Sequence, residues 1–197
     1  MKHNIMIPVI DGEYRNIFAP EPAVYRGPNT QNFRNGEKYE QWILNDFTVI
    51  RDDNGMLHGI GITHPKPPEF VDAFTPCPNM HEAENQLFHA TFNGSLDELY
   101  RSGRMKEQQN IMNPLDRPDE QAECWAPGIV KAGNMYEMLY SPGGIRRANS
   151  PDLYNWTTHG VVIESEYPHI RDPFIFKENG LYYIVYNNFE NICQRVT

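Results

Sequence analysis

Two aspartates, Asp46 and Asp172, stand at matching places in the sequence and are its strongest candidates for chemistry. Each directly precedes a predicted strand of β-forming residues, and a turn glycine follows nine residues after the first and eight after the second, at Gly55 and Gly180. Paired carboxylates can act as nucleophile, general base or general acid when a fold brings them together. A single aspartate here could simply cap a turn, but the matched positions favour a shared site.

The elements that must position these aspartates form a repeating pattern. Units beginning near Trp42, Glu123 and His169 each predict a strand, a turn containing glycine or asparagine, and a returning strand rich in aromatic residues. The first two units continue into a third predicted strand. Units of three or four antiparallel strands that recur at roughly 40–50 residues are typical of β-propeller blades, with a generic antiparallel sandwich as the alternative.

The sequence therefore predicts an all-β fold of the five-bladed β-propeller type, with about two and a half blades present. Inner strands of a propeller start at one end of a central funnel, so carboxylates far apart in sequence can converge there. Residues 1–41, broken by several prolines and glycines, are interpreted as an extended lead-in with one short strand at most. The predicted partial propeller occupies residues 42–197, with blades near 42–99, 123–160 and 169–197.

The composition is that of a globular, acidic protein. Of the 197 residues, 40% are hydrophobic, 22% charged and 12% aromatic, and the 16 prolines and 14 glycines favour short strands joined by many turns. The net charge of −9 argues against nucleic acid or an anionic membrane as a partner, because both require a basic surface. A neutral ligand is compatible with this acidity.

The sequence indicates no cofactor and no metal site. Cys77, Cys124 and Cys193 are widely spaced, match neither a disulfide framework nor a zinc pattern, and are interpreted as free thiols. The histidine spacings lack the close pairs of a structural zinc site. The apolar run near the N-terminus is too short for a secretory signal, which predicts a cytoplasmic location. Glu82 and Glu84 are interpreted as part of a solvated loop.

Several short motifs, in their order and spacing, resemble the five-bladed β-propeller glycoside hydrolases of families 43 and 32 and their relatives. The resemblance covers about residues 42–188. Trp-Ala-Pro is typical of family 43 and Arg-Asp-Pro of family 32, which leaves the choice between the two families open. The matching pieces are Asn45-Asp46, Gly61-Ile62-Thr63-His64, Phe88-His89-Ala90-Thr91, Trp125-Ala126-Pro127, the run Ala148–Trp156 and Arg171-Asp172-Pro173.

The resemblance implies cleavage of glycosidic bonds in an oligosaccharide or polysaccharide. In that reaction one carboxylate attacks the sugar or activates water, and a carboxylic acid protonates the leaving oxygen. Asp46 matches the first-blade aspartate, which is the nucleophile in family 32 and the general base in family 43. Asp172 matches the middle aspartate, which holds sugar hydroxyls or tunes the pKa of the acid. Arg171 is expected to orient Asp172 or to bind a hydroxyl.

Three further residues are candidate contacts for a carbohydrate substrate. The match around Phe88-His89-Ala90 makes His89 the best histidine to line the funnel and touch a sugar. Trp42 and Trp125 could stack on a sugar face, because aromatic side chains with a polar group often do so. A role for either tryptophan in the core or in packing between blades is at least as consistent with its residue type.

One residue that the resemblance requires has no counterpart at the matching place. The general acid of these enzymes is a glutamate on a later blade, whereas Glu178 falls in a predicted turn, Glu190 lies beyond the returning strand and Glu123 precedes Asp172. We therefore expect the N-terminal portion of such an enzyme, inactive or nearly so alone. Its remaining blades would be truncated or supplied by a second chain. The alternative is a non-catalytic carbohydrate-binding propeller module.

Overall fold

A computed structural model describes residues 12–68, 81–164 and 170–187, together with the backbone of 194–196. The strands are β1 Ala23–Val24, β2 Lys38–Tyr39, β3 Trp42–Arg51, β4 Met56–Pro65, β5 Gln86–Asn93, β6 Lys106–Glu107, β7 Trp125–Ala132, β8 Met135–Ser141, β9 Ile145–Ser150, β10 Thr157–Ile163, β11 Arg171–Glu178, β12 Leu181–Asn187 and β13 Gln194–Val196. One α-helix, α1 Leu96–Arg101, and a 3-10 turn at Pro114–Asp116 complete these elements. Neither is long and apolar enough to cross a membrane.

The strands form three antiparallel blades and one small ribbon. The first blade has the order β3-β4-β5-β6, the second β7-β8-β9-β10 and the third β11-β12-β13. Strands β1 and β2 pair as a separate ribbon within the lead-in. The chain is therefore nearly all β, and its antiparallel blades confirm the predicted partial propeller.

The first strand of each blade lies at the centre of the assembly. Strand β7 contacts both β3 and β11, so the three inner strands lie side by side although they belong to different sheets. In each of them the register shifts near the start, between Asn45 and Phe47, between Trp125 and Gly128, and between Arg171 and Phe174. Such β-bulges turn side chains away from the regular alternation of a strand.

The bulges correct one sequence prediction. Asp46 and Asp172 were expected just before their strands, yet each lies inside the strand, at the bulge of β3 and of β11. The bulge of β7 presents Ala126 at the corresponding place, so the second blade contributes no carboxylate there. The strand pairing continues past each bulge because β3 and β11 find partners in β4 and β12 on both sides of it.

Apolar side chains between neighbouring blades form the core. One cluster joins Ile60 and Leu87 of the first blade to Met138 of the second. Another joins Leu139 and Ile145 of the second blade to residues of the third, including Ile175. Each fully buried side chain of this size contributes about 2 kcal/mol of hydrophobic free energy. The blades therefore stack face to face, which fixes the relative positions of their inner strands.

Candidate active site

Asp46 and Asp172 line the same cavity, where the inner strands of the first and third blades meet. The cavity has a volume of about 290 Å³ and is lined by eight residues from β3, β4, β7, β11 and the segment before β5. Both aspartates are exposed to solvent rather than buried in the core. The lining residues are Asn45, Asp46, Ile62, His81, Glu84, Trp125, Arg171 and Asp172.

The two aspartates also line a second, more open cavity of about 450 Å³ beside the first. Phe47 and Phe174, the residues that follow the two bulges, line it and are 64% and 58% exposed. Exposed aromatic faces next to carboxylates are a suitable surface for the apolar face of a sugar ring. The two cavities together place carboxylates and aromatic rings on one concave surface.

Two glycines let the backbone of a neighbouring strand come close, and these contacts fix where the bulges of β3 and β11 lie. Gly61 of β4 lies opposite Phe47, and a Cβ atom there would lie 2.5 Å from Phe47 Cβ and 2.8 Å from the carbonyl oxygen of Asp46. Gly128 of β7 lies against the carbonyl oxygen of Pro173, where a Cβ atom would overlap it. Because only glycine fits at these contacts, the sequence determines how near the aspartate-bearing strands come to their neighbours.

The environment of Asp172 disfavours its charged form. Partial burial raises the pKa of this carboxyl above its usual range, the nearby Arg171 guanidinium lowers it, and the charge of Asp46 raises it again. Arg171 Nε lies 3.4 Å from Asp172 Oδ2, an ion pair that also fixes the direction of the carboxylate. The backbone of Asp172 adopts a φ of 56°, which aspartate tolerates better than most residues. Asp46 and Asp172 belong to one site because both line the same cavity.

Glu84 is a third carboxyl in the cavity, and its burial contradicts the interpretation of this segment as a solvated loop. The residue is 3% exposed. Its Oε1 accepts a 2.7 Å hydrogen bond from Asn45 Nδ2. Burial raises the pKa of Glu84, whereas hydrogen bonds and the charge of His81 lower it. A buried glutamate beside Asp46 is the type of group that functional sites use.

His81 extends from Glu84 toward solvent on the same side of the cavity. Its Nδ1 atom lies 2.8 Å from Glu84 Oε2, and its side chain is 64% exposed. The imidazole meets the ring of Trp125 edge to face, with 6.2 Å between ring centroids. Trp125 Nε1 is buried and has no hydrogen-bond partner among the described residues. A ligand in the cavity could therefore meet an imidazole and an indole as well as carboxylates.

The structure brings Asp46, Asp172, Arg171 and Trp125 together at the cavity and places the other two predicted contacts elsewhere. His89 is fully buried, where His58 Nδ1 lies 2.8 Å from its Nε2 and Tyr154 packs 4.5 Å from its ring centroid. An imidazole enclosed in this way does not reach a sugar, so the expectation for His89 is corrected.

Trp42 packs against the lead-in rather than at the cavity. It joins the cluster of Tyr25, Phe33 and Tyr39, and its Nε1 donates a 3.1 Å hydrogen bond to the carbonyl oxygen of Tyr39. Trp42 therefore has a packing role, which the sequence analysis gave as the alternative to stacking on a sugar. Stacking on a sugar would require Trp42 to leave this cluster.

Sequence reasoning missed His81 and Glu84 because the signal lies in long-range contacts. Glu84 is 39 residues from its partner Asn45, and a polar residue next to a strand resembles many loop residues. The one local signal is the His-x-x-Glu spacing immediately before β5, which places the two side chains on one side of a turn. Among the described residues, no group of three or more acidic, histidine or cysteine side chains has the geometry to hold a metal ion.

Comparison with known proteins finds similarity at the level of the fold. No protein-family model matches the chain, and no curated protein matches it by sequence. A family 32 β-fructofuranosidase of Bombyx mori superposes with a TM-score of 0.52 at 14% identity, over 80% of this chain and 34% of that one. The catalytic domain of a family 62 α-L-arabinofuranosidase of Coprinopsis cinerea gives a TM-score of 0.50 at 14% identity, over 89% of this chain and 50% of that one.

A third solved structure, a family 43 β-xylosidase/α-arabinofuranosidase from a compost microbial metagenome in complex with xylotriose, also has a TM-score of 0.50. Its identity is 16%, over 72% of this chain and 42% of that one. The chain thus spans between about a third and a half of the length of these solved chains. At these identities the similarity shows a shared fold, that of the propeller glycoside hydrolases.

Proposed function

We propose that this chain carries the substrate cavity of a glycoside hydrolase acting on oligosaccharides or polysaccharides, with Asp46 as nucleophile or general base. The observation that carries the proposal is the convergence of Asp46 and Asp172, which are 126 positions apart (172 minus 46), on one solvent-open cavity. Hydrolysis of a glycosidic bond needs carboxyl groups on opposite sides of the scissile bond. The glycosidase-like fold and the exposed aromatic residues beside the cavity support the same reaction class.

The two aspartates have different environments, which suits them to different roles. The contact of Asp172 with Arg171 fits a residue that holds sugar hydroxyls, and the ionised Asp172 would raise the pKa of a neighbouring acid and so keep it protonated. Asp46 is exposed and adjoins Asn45, whose amide is held by Glu84. In the proposed reaction Asp46 attacks the anomeric carbon or takes a proton from water, while Asp172 binds the sugar.

Hydrolysis of a panel of glycosides by the purified chain tests this proposal. The panel contains 2,4-dinitrophenyl xylopyranosides and arabinofuranosides, sucrose and linear xylo-oligosaccharides. The dinitrophenolate leaving group needs no proton donor, so its release tests the role of Asp46 even where an acid is lacking. We expect turnover of a dinitrophenyl glycoside, lost on the order of 10³-fold in Asp46→Asn and retained in the control Asp119→Asn, which changes an exposed aspartate. Sucrose and the xylo-oligosaccharides, whose leaving groups need an acid, should be turned over little or not at all.

Binding measured in parallel separates the two functions that the sequence allows. Saturable binding of an oligosaccharide without turnover of any substrate would indicate the alternative, a non-catalytic carbohydrate-binding module. Turnover that Asp46→Asn leaves intact would contradict the role of Asp46. If the chain neither binds an oligosaccharide nor turns over any substrate, that result would overturn the proposal as a whole.

A further inference from the structure

A second concave surface lies at the outer edge of the first blade, where it meets a loop of the second. We propose that this outer groove binds a neutral oligosaccharide, as a site separate from the catalytic cavity of Asp46 and Asp172. It consists of two adjoining cavities of about 290 Å³ and about 400 Å³. Binding there goes beyond the proposed hydrolysis and requires no turnover. The lining side chains that carry the inference are Gln86, Gln109, Asn110, Tyr154, Asn155 and Trp156.

The outer groove is separated from the catalytic cavity by the width of the first blade. Strands β3, β4 and β5 lie side by side, and Ile111 pairs with Leu87 on the side of β5 that faces away from β4. Gln109 and Asn110, which precede Ile111, line both parts of the groove. With about 4.8 Å between neighbouring strands, this segment lies about 14 Å from the strand that carries Asp46. A sugar in the outer groove therefore does not occupy the catalytic cavity.

Side-chain amides are the free hydrogen-bonding groups of the outer groove. Gln109 is exposed and Asn110 is half-buried, and neither side chain makes a hydrogen bond among the described residues. Gln86 is 2% exposed, and its Nε2 has no partner in the described part of the chain. Its carboxamide can turn about the last side-chain bond, so either the nitrogen or the oxygen can face the groove. Amides donate and accept at once, as sugar hydroxyls do, and a hydroxyl here would remove the cost of a buried unpaired group.

Two aromatic side chains at the other end of the groove form a stacking surface that is already in place. Tyr154 is 42% exposed, and its ring centroid lies 4.5 Å from that of the buried His89. Trp156 is half-buried, and its Nε1 donates a 3.1 Å hydrogen bond to the carbonyl oxygen of Leu153. Because these contacts hold both rings, little side-chain freedom would be lost on binding. Fixed aromatic faces beside amides suit the apolar face of a sugar ring.

The charges of the outer groove favour a neutral ligand over an ionic one. Its charged lining residues are Arg26, Glu107 and Asp116. Glu107 Oε2 already accepts a 3.0 Å hydrogen bond from the backbone N–H of Glu21. Asp116 Oδ2 accepts a 2.6 Å hydrogen bond from Asn113 Nδ2. With one arginine against two carboxylates that have partners, the groove concentrates no charge of either sign, and a neutral chain of sugars matches its amides and its aromatic faces.

The three tryptophans of the chain report separately on the outer groove, the catalytic cavity and a control position. Trp156 lines the groove, Trp125 lines the catalytic cavity, and Trp42 packs in the lead-in cluster. NMR follows their indole N–H signals while the purified chain is titrated with xylohexaose, cellohexaose or mannohexaose. We expect at least one of these neutral sugars to move the Trp156 signal saturably and to leave the Trp42 signal in place. Movement of the Trp125 signal alone, or of no signal with any of the three sugars, would overturn the inference.

Two variants test the lining of the groove. Gln109→Ala combined with Asn110→Ala removes two amides, and Tyr154→Ala removes the exposed ring. We expect each variant to weaken the binding measured at Trp156 by about 10-fold, since truncating an anchor of a binding surface commonly costs this much. The control Tyr14→Ala, at a tyrosine that is 89% exposed and outside the groove, should leave the affinity unchanged.

The double amide variant decides the question if Tyr154→Ala lowers stability, because its two side chains make no hydrogen bonds within the described part of the chain. Wild-type affinity in the double amide variant would overturn the inference. The measurement is independent of turnover, so a chain that binds sugar in the outer groove but hydrolyses nothing would support this inference while contradicting the proposed hydrolysis.

Discussion

Glu84 and His81 are joined by a 2.8 Å contact between Oε2 and Nδ1, and the remaining oxygen of Glu84 holds Asn45 beside Asp46. A single buried carboxyl thus connects an exposed imidazole to the strand that carries the best catalytic candidate. Keeping this carboxyl in a buried place costs stability when it is charged, since burial raises its pKa. Its retention there fits a functional rather than a purely structural role.

Glu84→Gln is therefore expected to gain stability relative to the wild type as the pH rises. The folded-state pKa of Glu84 lies above its unfolded value, so the ionised wild type loses stability as pH increases from below about 4.5 through the folded-state pKa. Glutamine matches the shape without the charge. Urea unfolding at pH 4.5 and pH 8 measures the difference, which should favour the variant more at pH 8. Glu40→Gln, at a side chain that is 75% exposed, is the control.

His64 is expected to make the protein less stable in mild acid. Burial lowers its folded-state pKa from 6.5 to about 4, so between these values the unfolded chain binds a proton that the native protein does not. Stability is lost as the pH falls through this window, by about 3 kcal/mol at most for this group.

His64→Asn isolates that contribution, because its side-chain amide can replace the 2.9 Å contact between Nδ1 and the carbonyl oxygen of Pro65. Urea unfolding between pH 7.5 and pH 4.5 should show a smaller loss of stability in the variant than in the wild type. A variant with the full acid sensitivity of the wild type would show that other groups, such as His58 and His89, account for it.

Gly61→Ala is expected to displace the bulge that presents Asp46. An added methyl group would meet Phe47 and the carbonyl oxygen of Asp46, which are parts of the bulge itself. We expect a loss of about 2 kcal/mol of unfolding free energy and a fall in turnover on the order of 10²-fold, since small misplacements of reacting groups are costly. Gly59→Ala is the matched control in the same strand, because its methyl group would meet only the flexible side chain of Met105 at 3.1 Å and the ring of Phe88 at ordinary distance. Equal effects of the two variants would argue against a specific role for Gly61.

Arg117 is expected to be essential for the connection between the first and second blades. The buried guanidinium donates to the carbonyl oxygens of Met112 and Asn85 at 2.7 and 2.9 Å, and to those of Gln121, Ala122 and Glu123 just before β7.

Arg117→Lys keeps the charge but cannot reach this set of acceptors, so a loss of about 3 kcal/mol is expected. Thermal or urea unfolding measures it, with the exposed Arg104→Lys as control. Similar unfolding curves for both variants would show that the carbonyl groups find other partners.

The strands of each blade could be predicted from the sequence, but the contacts between blades could not. Alternating apolar residues and glycine turns are local signals, so the hairpins around Gly55, Gly133 and Gly180 were predictable, and with them the matched aspartates. The burial of His89 depends on Tyr154 of another blade, and the burial of Glu84 depends on Asn45. Such environments arise from packing between distant segments, which no local pattern encodes.

The β-bulges were missed for a related reason. A bulge is a mismatch between two strands, so its position at Asp46 or Asp172 depends on where β4 and β12 resume their pairing. The sequence marks it only indirectly, through Gly61 and Gly128, whose missing side chains allow the close approach. These glycines indicate a bulge only when it is known which strand lies next to each of them.

A crystal structure of the Asp46→Asn variant with an unhydrolysed oligosaccharide tests the central claim most directly. The predicted result is a sugar in the cavity, with its anomeric carbon beside the side chain at position 46 and with hydroxyls bound by Asp172 and Arg171. A sugar bound away from Asp172, or one whose anomeric carbon lies away from position 46, would contradict the proposed site.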